Sequence, residues 1–279
     1  MDAGMTSTGT LYDAAGAARY WGEERLDGIG TADHDAEDAA VLNQGKPREI
    51  SAAYAQWETD CLHAMLPDLT GRSVLDLGCG VGRILTWLAP RASEVVGVDV
   101  APGMVARARA RVAGFRHVEL RVGDMAAVPA PDGHFDQVVC LGVFEHVPAA
   151  HRRRALEEIR RVLRPEGELL LELNNAESAL LCEAAGDNPH RTGEQFENGY
   201  FCELVTAGDV LSVAQEVGLR ETDRTANPFY SAVRHAASGD PEEDLPGLFA
   251  HARALDARLG RGRAMHRLAD QFMVRLVRT

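Results

Sequence analysis

Three glycines at alternate positions, Gly78, Gly80 and Gly82, follow a short apolar run that contains Asp76 in the stretch VLDLGCGVGR. Glycine lets the backbone turn sharply and lets a ligand lie against the main chain. A helix that begins after such a turn also offers unpaired amide groups to the ligand. The spacing therefore predicts a site for a nucleotide derivative, although NAD enzymes use the related spacing GxGxxG.

Two further carboxylates stand where the next strands are predicted to end. Asp99 closes VVGVDV, a position from which a carboxylate can accept hydrogen bonds from both hydroxyls of a ribose. Asp124 ends VGDM, where it can accept from an exocyclic amine while Met125 covers a base. The alternatives are that Asp99 only caps a helix and that Asp124 is a solvent-facing turn residue. Together the two carboxylates predict adenosine as part of the ligand.

The candidates for proton transfer are Glu145 and His146, which follow the fourth predicted strand in LGVFEHVP. Histidine can exchange a proton near neutral pH and therefore suits a general base. The same pair precedes Pro148 and a predicted helix, so it could instead fix the loop or position the ligand. Both interpretations stay open, because a general base is identified first by its geometry.

These residues must be positioned by an alternation of β-branched runs and amphipathic helices that starts near residue 73. Such an order predicts right-handed βαβ units and a doubly wound α/β fold. An amphipathic helix in ISAAYAQWETDCLHAML is expected to pack against the sheet before the first strand. The predicted strands are RSVLDL, EVVGVDV, HVELRVGD, HFDQVVCLG, GELLLELN and QFMVRLVRT.

Two segments outside this alternation are expected to contact the substrate. Residues 1–49 form an N-terminal arm that is either a lid or partly disordered, and residues 50–279 form the main domain. A long cap segment over about residues 174–205 interrupts that domain, and loops of this length are often functional. The substrate candidates are Tyr20, Trp21 and Arg48 in the arm and Asn174, Asn175, His190, Arg191, Tyr200 and Phe201 in the cap segment. The last two could instead be core anchors, and His190 and Arg191 could be solvated loop residues.

Composition excludes several classes of partner. Forty-two acidic against 29 basic residues give a formal charge of −13, which disfavours nucleic acid. No apolar run is long enough to span a membrane and the first residues lack the pattern of a signal peptide, so a cytoplasmic location without a membrane partner is expected. The five cysteines do not stand at metal-ligand spacing, and no metal is predicted.

The motifs VLDLGCGVGR, VVGVDVAPGM, RVGDMAAVP, FDQVVCLGVFEHVP and VLRPEGELLLEL resemble, in order and spacing, those of class I S-adenosylmethionine-dependent methyltransferases. The subgroup that includes the ubiquinone-biosynthesis methyltransferases is the most similar. The resemblance implies a Rossmann-like seven-stranded sheet with S-adenosyl-L-methionine as cofactor. By the same resemblance, related O-methyltransferases carry a metal-site glutamate at the position of Gly142. The glycine at this position disfavours a metal requirement. The implied cofactor-binding residues are Asp76, Gly78, Gly80, Gly82, Asp99, Val100, Met104, Asp124, Met125 and Leu141.

By this resemblance we expect methyl transfer to an oxygen or nitrogen of a small molecule, in secondary metabolism, with a homodimer as one expected assembly. Three alternatives remain. An NAD(P) oxidoreductase is disfavoured by the GxGxG spacing and the VGDM motif. A non-catalytic protein that binds S-adenosylmethionine would keep the same glycines and Asp99. A protein or RNA methyltransferase is disfavoured by the negative charge and by the cap segment.

Overall fold

The computed structural model describes residues 13–30, 33–42, 47–180, 199–238, 240 and 243–279, and it contains a seven-stranded sheet. The strand order is β3-β2-β1-β4-β5-β7-β6. Strand β7 runs in the direction opposite to the other six strands. The expected doubly wound, Rossmann-like seven-stranded sheet is therefore confirmed. The strands are β1 (Ser73–Leu77), β2 (Glu94–Asp99), β3 (Val118–Val122), β4 (Phe135–Cys140), β5 (Leu163–Asn174), β6 (Leu219–Ala226) and β7 (Gln271–Arg278).

Helices cover both faces of the sheet. The described helices are α1 (Ala14–Arg19), α2 (His34–Leu42), α3 (Arg48–Met65), α4 (Arg83–Leu88), α5 (Pro102–Arg111), α6 (Ala149–Val162), α7 (Ala207–Glu216), α8 (Pro228–Ala236) and α9 (Leu245–Leu259). Helices α6 and α7 pack on the face that carries Leu75, whereas α3, α4, α8 and α9 pack on the face that carries Val74. Neighbouring residues of one strand thus belong to different cores, as strand geometry requires.

The central strands are apolar because both of their faces are covered, and β1 is buried along its whole length. Strand β6 was not predicted, since LRETDRTA is mostly polar and is fully buried only at Leu219 and Ala226. It forms an edge of the sheet, where polar side chains remain in solvent. Helix α8 was also not predicted.

The N-terminal arm contains α1, a π-helical turn over Tyr20–Glu24, and α2. Leu26 packs against Val81, Ala101 and Met104 of the main domain. The buried carboxylate of Glu37 accepts a hydrogen bond of 2.7 Å from Arg107 on α5, and Arg111 makes two such bonds to Asp38. These contacts dock the arm on α5, while the division at residue 49 remains a prediction.

Candidate functional site

A cavity of about 300 Å³ opens at the carboxyl ends of the central strands, beneath the N-terminal arm. Its walls come from the glycine turn after β1, the ends of β2 and β3, and the segment after β4. Ala17 and Trp21 of the arm also line it. The cavity lies where the order of strands reverses, between β1 and β4. Doubly wound sheets bind their ligands at this position.

The glycine turn brings the backbone to the cavity wall. The amides of Gly78 and Cys79 both donate to the carbonyl oxygen of Val98, at 2.7 and 3.0 Å, which joins the turn to β2. Gly78 has a φ of 80° and a Cβ there would overlap Val143, so glycine is required. A Cβ at Gly80 would meet no protein atom within 4 Å, so this side of Gly80 is left open. The turn thus exposes main chain to a ligand, as its spacing predicts.

Gly82 has a different environment from the other two glycines. It does not line the cavity, and its absent Cβ would lie 3.1 Å from the Cα of Ala108 on α5. This glycine allows α4 to start close to α5 and makes no wall for a ligand.

Asp99 ends β2 with each carboxylate oxygen already accepting one backbone hydrogen bond. Oδ2 accepts from the amide of Gly80 and Oδ1 from the amide of Ala101, both at 2.9 Å. A carboxylate has about four acceptor positions, so each oxygen keeps one for a ligand hydroxyl. Burial raises the pKa of this carboxyl, while the two amides oppose that shift. Asp99 does not cap α5, because the N-cap of that helix is Ala101, which has no side-chain cap hydrogen bond, and Asp99 accepts from the amide of Ala101 itself.

Asp76 lies deeper in the same wall and lacks a partner on one side. Its Oδ2 is buried and makes no hydrogen bond within the described part of the chain. Burial raises the pKa of Asp76 to about 7, with Arg83 lowering it and Asp99 raising it. An unpaired buried acceptor is costly, and a ligand ammonium would satisfy it.

The remaining cofactor candidates form an apolar wall with a polar end. Val100, Met104, Met125 and Leu141 all line the cavity, and Met104 is 2% exposed. Asp124 lines it as well, and one of its oxygens accepts from the amide of Ala126 at 2.8 Å. This wall fits the flat face of a base with a polar edge.

Glu145 and His146 lie together on the one-turn helix Phe144–His146 that follows β4, and both line the cavity. His146 Nδ1 is 2.6 Å from the carbonyl oxygen of Phe201. A carbonyl only accepts, so Nδ1 carries a proton, and in this tautomer Nε2 is the nitrogen that can accept one. Glu145 Oε1 accepts from the side-chain amide of Asn174 at 3.1 Å, whereas its Oε2 is buried without a partner among the described residues.

Aromatic rings cover this end of the cavity. The ring of Trp21 lies 4.8 Å from that of His146, and Tyr200 lies 5.6 Å from His146. Tyr20 packs against both Trp21 and Tyr200. The π-helical turn over Tyr20–Glu24 aims Trp21 inward, and such turns often occur at functional sites.

Acidic residues at the back of the cavity escaped the sequence reasoning. Glu58 on α3 and Arg83 on α4 form an ion pair of 2.8 Å, and both line the cavity. Glu172 on β5 accepts a hydrogen bond from the hydroxyl of Tyr54. Burial raises the pKa of both Glu58 and Glu172. The sequence could have indicated Glu58, because it is a charged residue on the buried face of α3 beside Trp57 and Cys61.

Of the described substrate candidates, Trp21, Asn174, Tyr200 and Phe201 line the cavity. Tyr20 is buried just behind Trp21, and Arg48 is exposed outside the cavity. Asn175 is also outside, because its buried amide donates to the carbonyls of His266 and Ala269 and so ties β5 to the segment before β7. His190 and Arg191 lie outside the described residues.

The described residues contain neither a membrane-spanning helix nor a cluster of metal ligands. No helix there is long and apolar enough to cross a membrane. Within the same residues, no three His, Cys, Asp or Glu side chains are arranged to hold a metal ion.

Comparison with known proteins relates this geometry to a family. Residues 74–167 match a family model described as a methyltransferase domain. A Mycolicibacterium smegmatis protein assigned as an S-adenosylmethionine-dependent methyltransferase is 35% identical over 157 residues, which is 55% of this chain and 59% of that protein. The ubiquinone biosynthesis O-methyltransferase of Xanthomonas oryzae pv. oryzae is 32% identical over 147 residues, covering 47% and 61%. The chain thus covers less than two thirds of either relative.

Solved methyltransferase structures have a similar fold. The magnesium protoporphyrin IX methyltransferase of Synechocystis PCC 6803, solved with bound SAH, superposes with a TM-score of 0.63. That match is 16% identical in sequence and covers 96% of this chain and all of the other. Residues 74–167 thus form a methyltransferase domain similar to those of S-adenosylmethionine-dependent methyltransferases, and the chain shares the fold of this class of enzyme.

Proposed function

We propose that this protein transfers a methyl group from S-adenosyl-L-methionine to an oxygen or nitrogen of a small molecule held in the cavity. One observation carries the proposal. A single cavity joins the nucleotide-type wall, made by the glycine turn and Asp99, to the buried Glu145 and the half-buried His146. A binding half and a proton-accepting half therefore share one cavity.

The residues present fit the cofactor. Asp99 keeps free acceptor positions for two ribose hydroxyls, and the unpartnered oxygen of Asp76 suits the ammonium of the methionine part. The open side of Gly80 leaves space for that part against the main chain. Asp124 and Met125 suit the edge and face of adenine. When bound, S-adenosyl-L-methionine supplies a methyl group that is already activated by its positively charged sulfur.

The chain itself must then align the acceptor, exclude water and remove a proton. His146 is the proposed proton acceptor, since its Nδ1 is held by the Phe201 carbonyl and its Nε2 is left as an acceptor. Trp21 and Tyr200 cover the ring of His146 and restrict access of water to this end of the cavity. Glu145 is proposed to position the acceptor.

A small-molecule acceptor is supported by the covered cavity and by the resemblance to the ubiquinone biosynthesis O-methyltransferase. We propose a cytoplasmic role in secondary metabolism, for which the support is the resemblance, the arginine-rich composition and the long cap segment. The negative charge of −13 argues against RNA as the acceptor.

The test is calorimetric titration of the pure protein with S-adenosylmethionine, S-adenosylhomocysteine and NAD in parallel. We expect both sulfur nucleotides to bind and NAD to give no heat. Formation of S-adenosylhomocysteine with any small acceptor would then exclude a purely structural or signalling use of the cofactor. Binding of NAD alone would support the oxidoreductase alternative and refute the proposal.

A further inference from the structure

The acceptor half of the cavity contains carboxylate oxygens that have no hydrogen-bond partner among the described residues. Asp76 on β1, Asp99 at the end of β2 and Asp124 after β3 are assigned above to the cofactor. Glu145 follows β4 and Glu172 lies on β5, on the other side of the point where the strand order reverses. This second group needs an explanation of its own, because the three aspartates assigned to the cofactor lie on or directly after the first three strands.

The orphaned atoms are Oε2 of Glu58, Oε2 of Glu145 and Oε2 of Glu172, all buried and without a hydrogen-bond partner in the described part of the chain. Glu145 is 8% exposed and the other two are 1% exposed. Glu58 and Glu145 line the cavity, and Glu172 Oε2 lies directly behind it, 4.0 Å from where a Cβ on the cavity residue Gly142 would stand. Buried acceptors in this state are costly unless a ligand supplies donors.

Acidic side chains outnumber basic side chains around the cavity. Five carboxylic acids line the cavity, namely Glu58, Asp76, Asp99, Asp124 and Glu145, against two arginines. Arg83 is paired with Glu58, and Arg234 with Asp270. His146 and His151 are the described histidines of the wall. Of these acids, Glu145 lies in the acceptor half and makes no ion pair among the described residues, so a carboxylate or phenolate acceptor would be repelled there and a cation attracted.

Resting on the proposed function, we propose that the methyl acceptor is an amine that enters as an ammonium and is held by Glu145, with Glu172 and Glu58 behind it. An alcohol offers one donor and no charge, so it would leave most of the orphaned oxygens unsatisfied. An ammonium offers up to three donors and a positive charge, which matches the cluster. Burial and the mutual repulsion of these carboxylates raise the pKa of Glu172, a penalty that a bound cation would relieve.

In this reaction His146 accepts the proton that the ammonium must lose. The ammonium gives one proton to Nε2 of His146 and becomes a neutral amine with a free lone pair. The lone pair forms the new N–C bond while the C–S bond of the donor breaks and its electrons stay on sulfur. The methylated nitrogen is then an ammonium again and leaves with its charge.

Binding to the complex with S-adenosylhomocysteine tests this inference without turnover. The probes are benzylamine and phenethylamine, each with its alcohol and carboxylate counterpart, because aromatic rings can pack beneath Trp21 and Tyr200. Dissociation constants come from ligand-observed NMR. We expect each amine to bind about tenfold more tightly than its alcohol, which corresponds to one charge-assisted hydrogen bond, and each carboxylate to bind most weakly.

Glu145→Gln should abolish the preference for amines and leave the affinity for S-adenosylhomocysteine unchanged. Glu172→Gln, which keeps an acceptor for the Tyr54 hydroxyl, should reduce the preference and serves as the second variant if the first is unstable. The matched control is Glu177→Gln, an exposed glutamate just after β5, which should behave as wild type.

Equal or tighter binding of the alcohols or carboxylates, absence of amine binding, or an intact preference in a folded Glu145→Gln or Glu172→Gln protein would overturn the inference. The proposed function has a separate readout in the same samples. If S-adenosylhomocysteine binds while the amines do not, only the amine inference fails. If S-adenosylhomocysteine itself does not bind, the proposed function fails first.

Discussion

Asp99 and Asp76 lie near the carboxyl ends of neighbouring parallel strands, yet their oxygens differ in hydrogen bonding. Asp99 accepts two backbone hydrogen bonds, so its orientation is set before any ligand arrives. Asp76 Oδ2 is buried without a partner in the described residues. A preorganised acceptor lowers the ordering cost of binding, and an unsatisfied one increases the gain when a ligand donor reaches it.

Asp99→Ala should weaken the binding of S-adenosylhomocysteine by about 100-fold, because two charge-assisted hydrogen bonds to ribose are lost. Calorimetric titration measures this constant. Asp209→Asn, at an exposed position in the first turn of α7, is the matched control and should not change it. An unchanged dissociation constant in a folded Asp99→Ala protein would remove the ribose role from Asp99.

His146→Gln should lower kcat about 100-fold or more, since general bases contribute this much to proton transfer. The dissociation constant of S-adenosylhomocysteine should change less than threefold, because that ligand needs no proton acceptor. Single-turnover kinetics and calorimetry separate the two quantities. If affinity falls as much as kcat, His146 holds the loop or the ligand and does not transfer a proton.

At the scale of elements, the arm is held by close contact of backbones. A Cβ at Gly103 on α5 would stand 2.1 Å from the carbonyl oxygen of Gly22, and one at Gly199 would stand 2.3 Å from that of Gly16. Salt bridges from Arg107 and Arg111 add to this docking. Glycine at positions 103 and 199 therefore allows the backbone of the arm to lie directly against the main domain.

Gly103→Ala should loosen the arm, because the added methyl group overlaps the backbone of Gly22. Overpacking of this kind costs about 1–3 kcal/mol. Hydrogen exchange over residues 13–30 should become faster, and the affinity for S-adenosylhomocysteine should fall. Gly114→Ala is the control, since a Cβ there would meet no atom within 4 Å. Unchanged exchange in Gly103→Ala would show that the arm is not docked in this way.

For the whole molecule, burial of several carboxyls makes stability depend on pH near neutrality. Burial raises the pKa of Asp76 and of Asp256 to about 7, from 3.8. A raised pKa in the folded state means that the folded chain keeps a proton that the unfolded chain has lost. The free energy of unfolding should therefore fall as pH rises from about 4 to about 7, and level off above that.

Asp76→Asn should reduce this loss of stability between pH 5 and pH 8 by about 1–3 kcal/mol, since its side chain cannot titrate. Urea unfolding of the ligand-free protein at several pH values provides the free energies. Asp209→Asn should keep the wild-type slope, because its carboxyl is exposed. A slope in Asp76→Asn equal to that of wild type would show that Asp76 does not carry the proton.

The sequence by itself determined the central sheet and most of the cofactor wall. Buried parallel strands are apolar along their length, and the glycine spacing and strand-end aspartates are local features that need no distant contact to be recognised. The N-cap of α7 by Thr206 and the positive φ of Gly218 after its end are local features of the same kind. Strand β6 was not, because an edge strand can be polar, and neither was the separate packing role of Gly82.

Only the tertiary structure decided which residues share the acceptor half of the cavity. Glu58, Glu145 and Glu172 come from α3, the turn after β4 and β5, and no sequence spacing relates them. Their significance lies in oxygens that burial leaves without donors, which is a property of the assembled core. Likewise, Asn175 and Arg48 were predicted from the sequence to contact the substrate. In the structure the side-chain amide of Asn175 joins β5 to the segment before β7, and Arg48 lies outside the cavity. Side-chain surroundings depend on contacts between distant segments, and these form only when the chain folds.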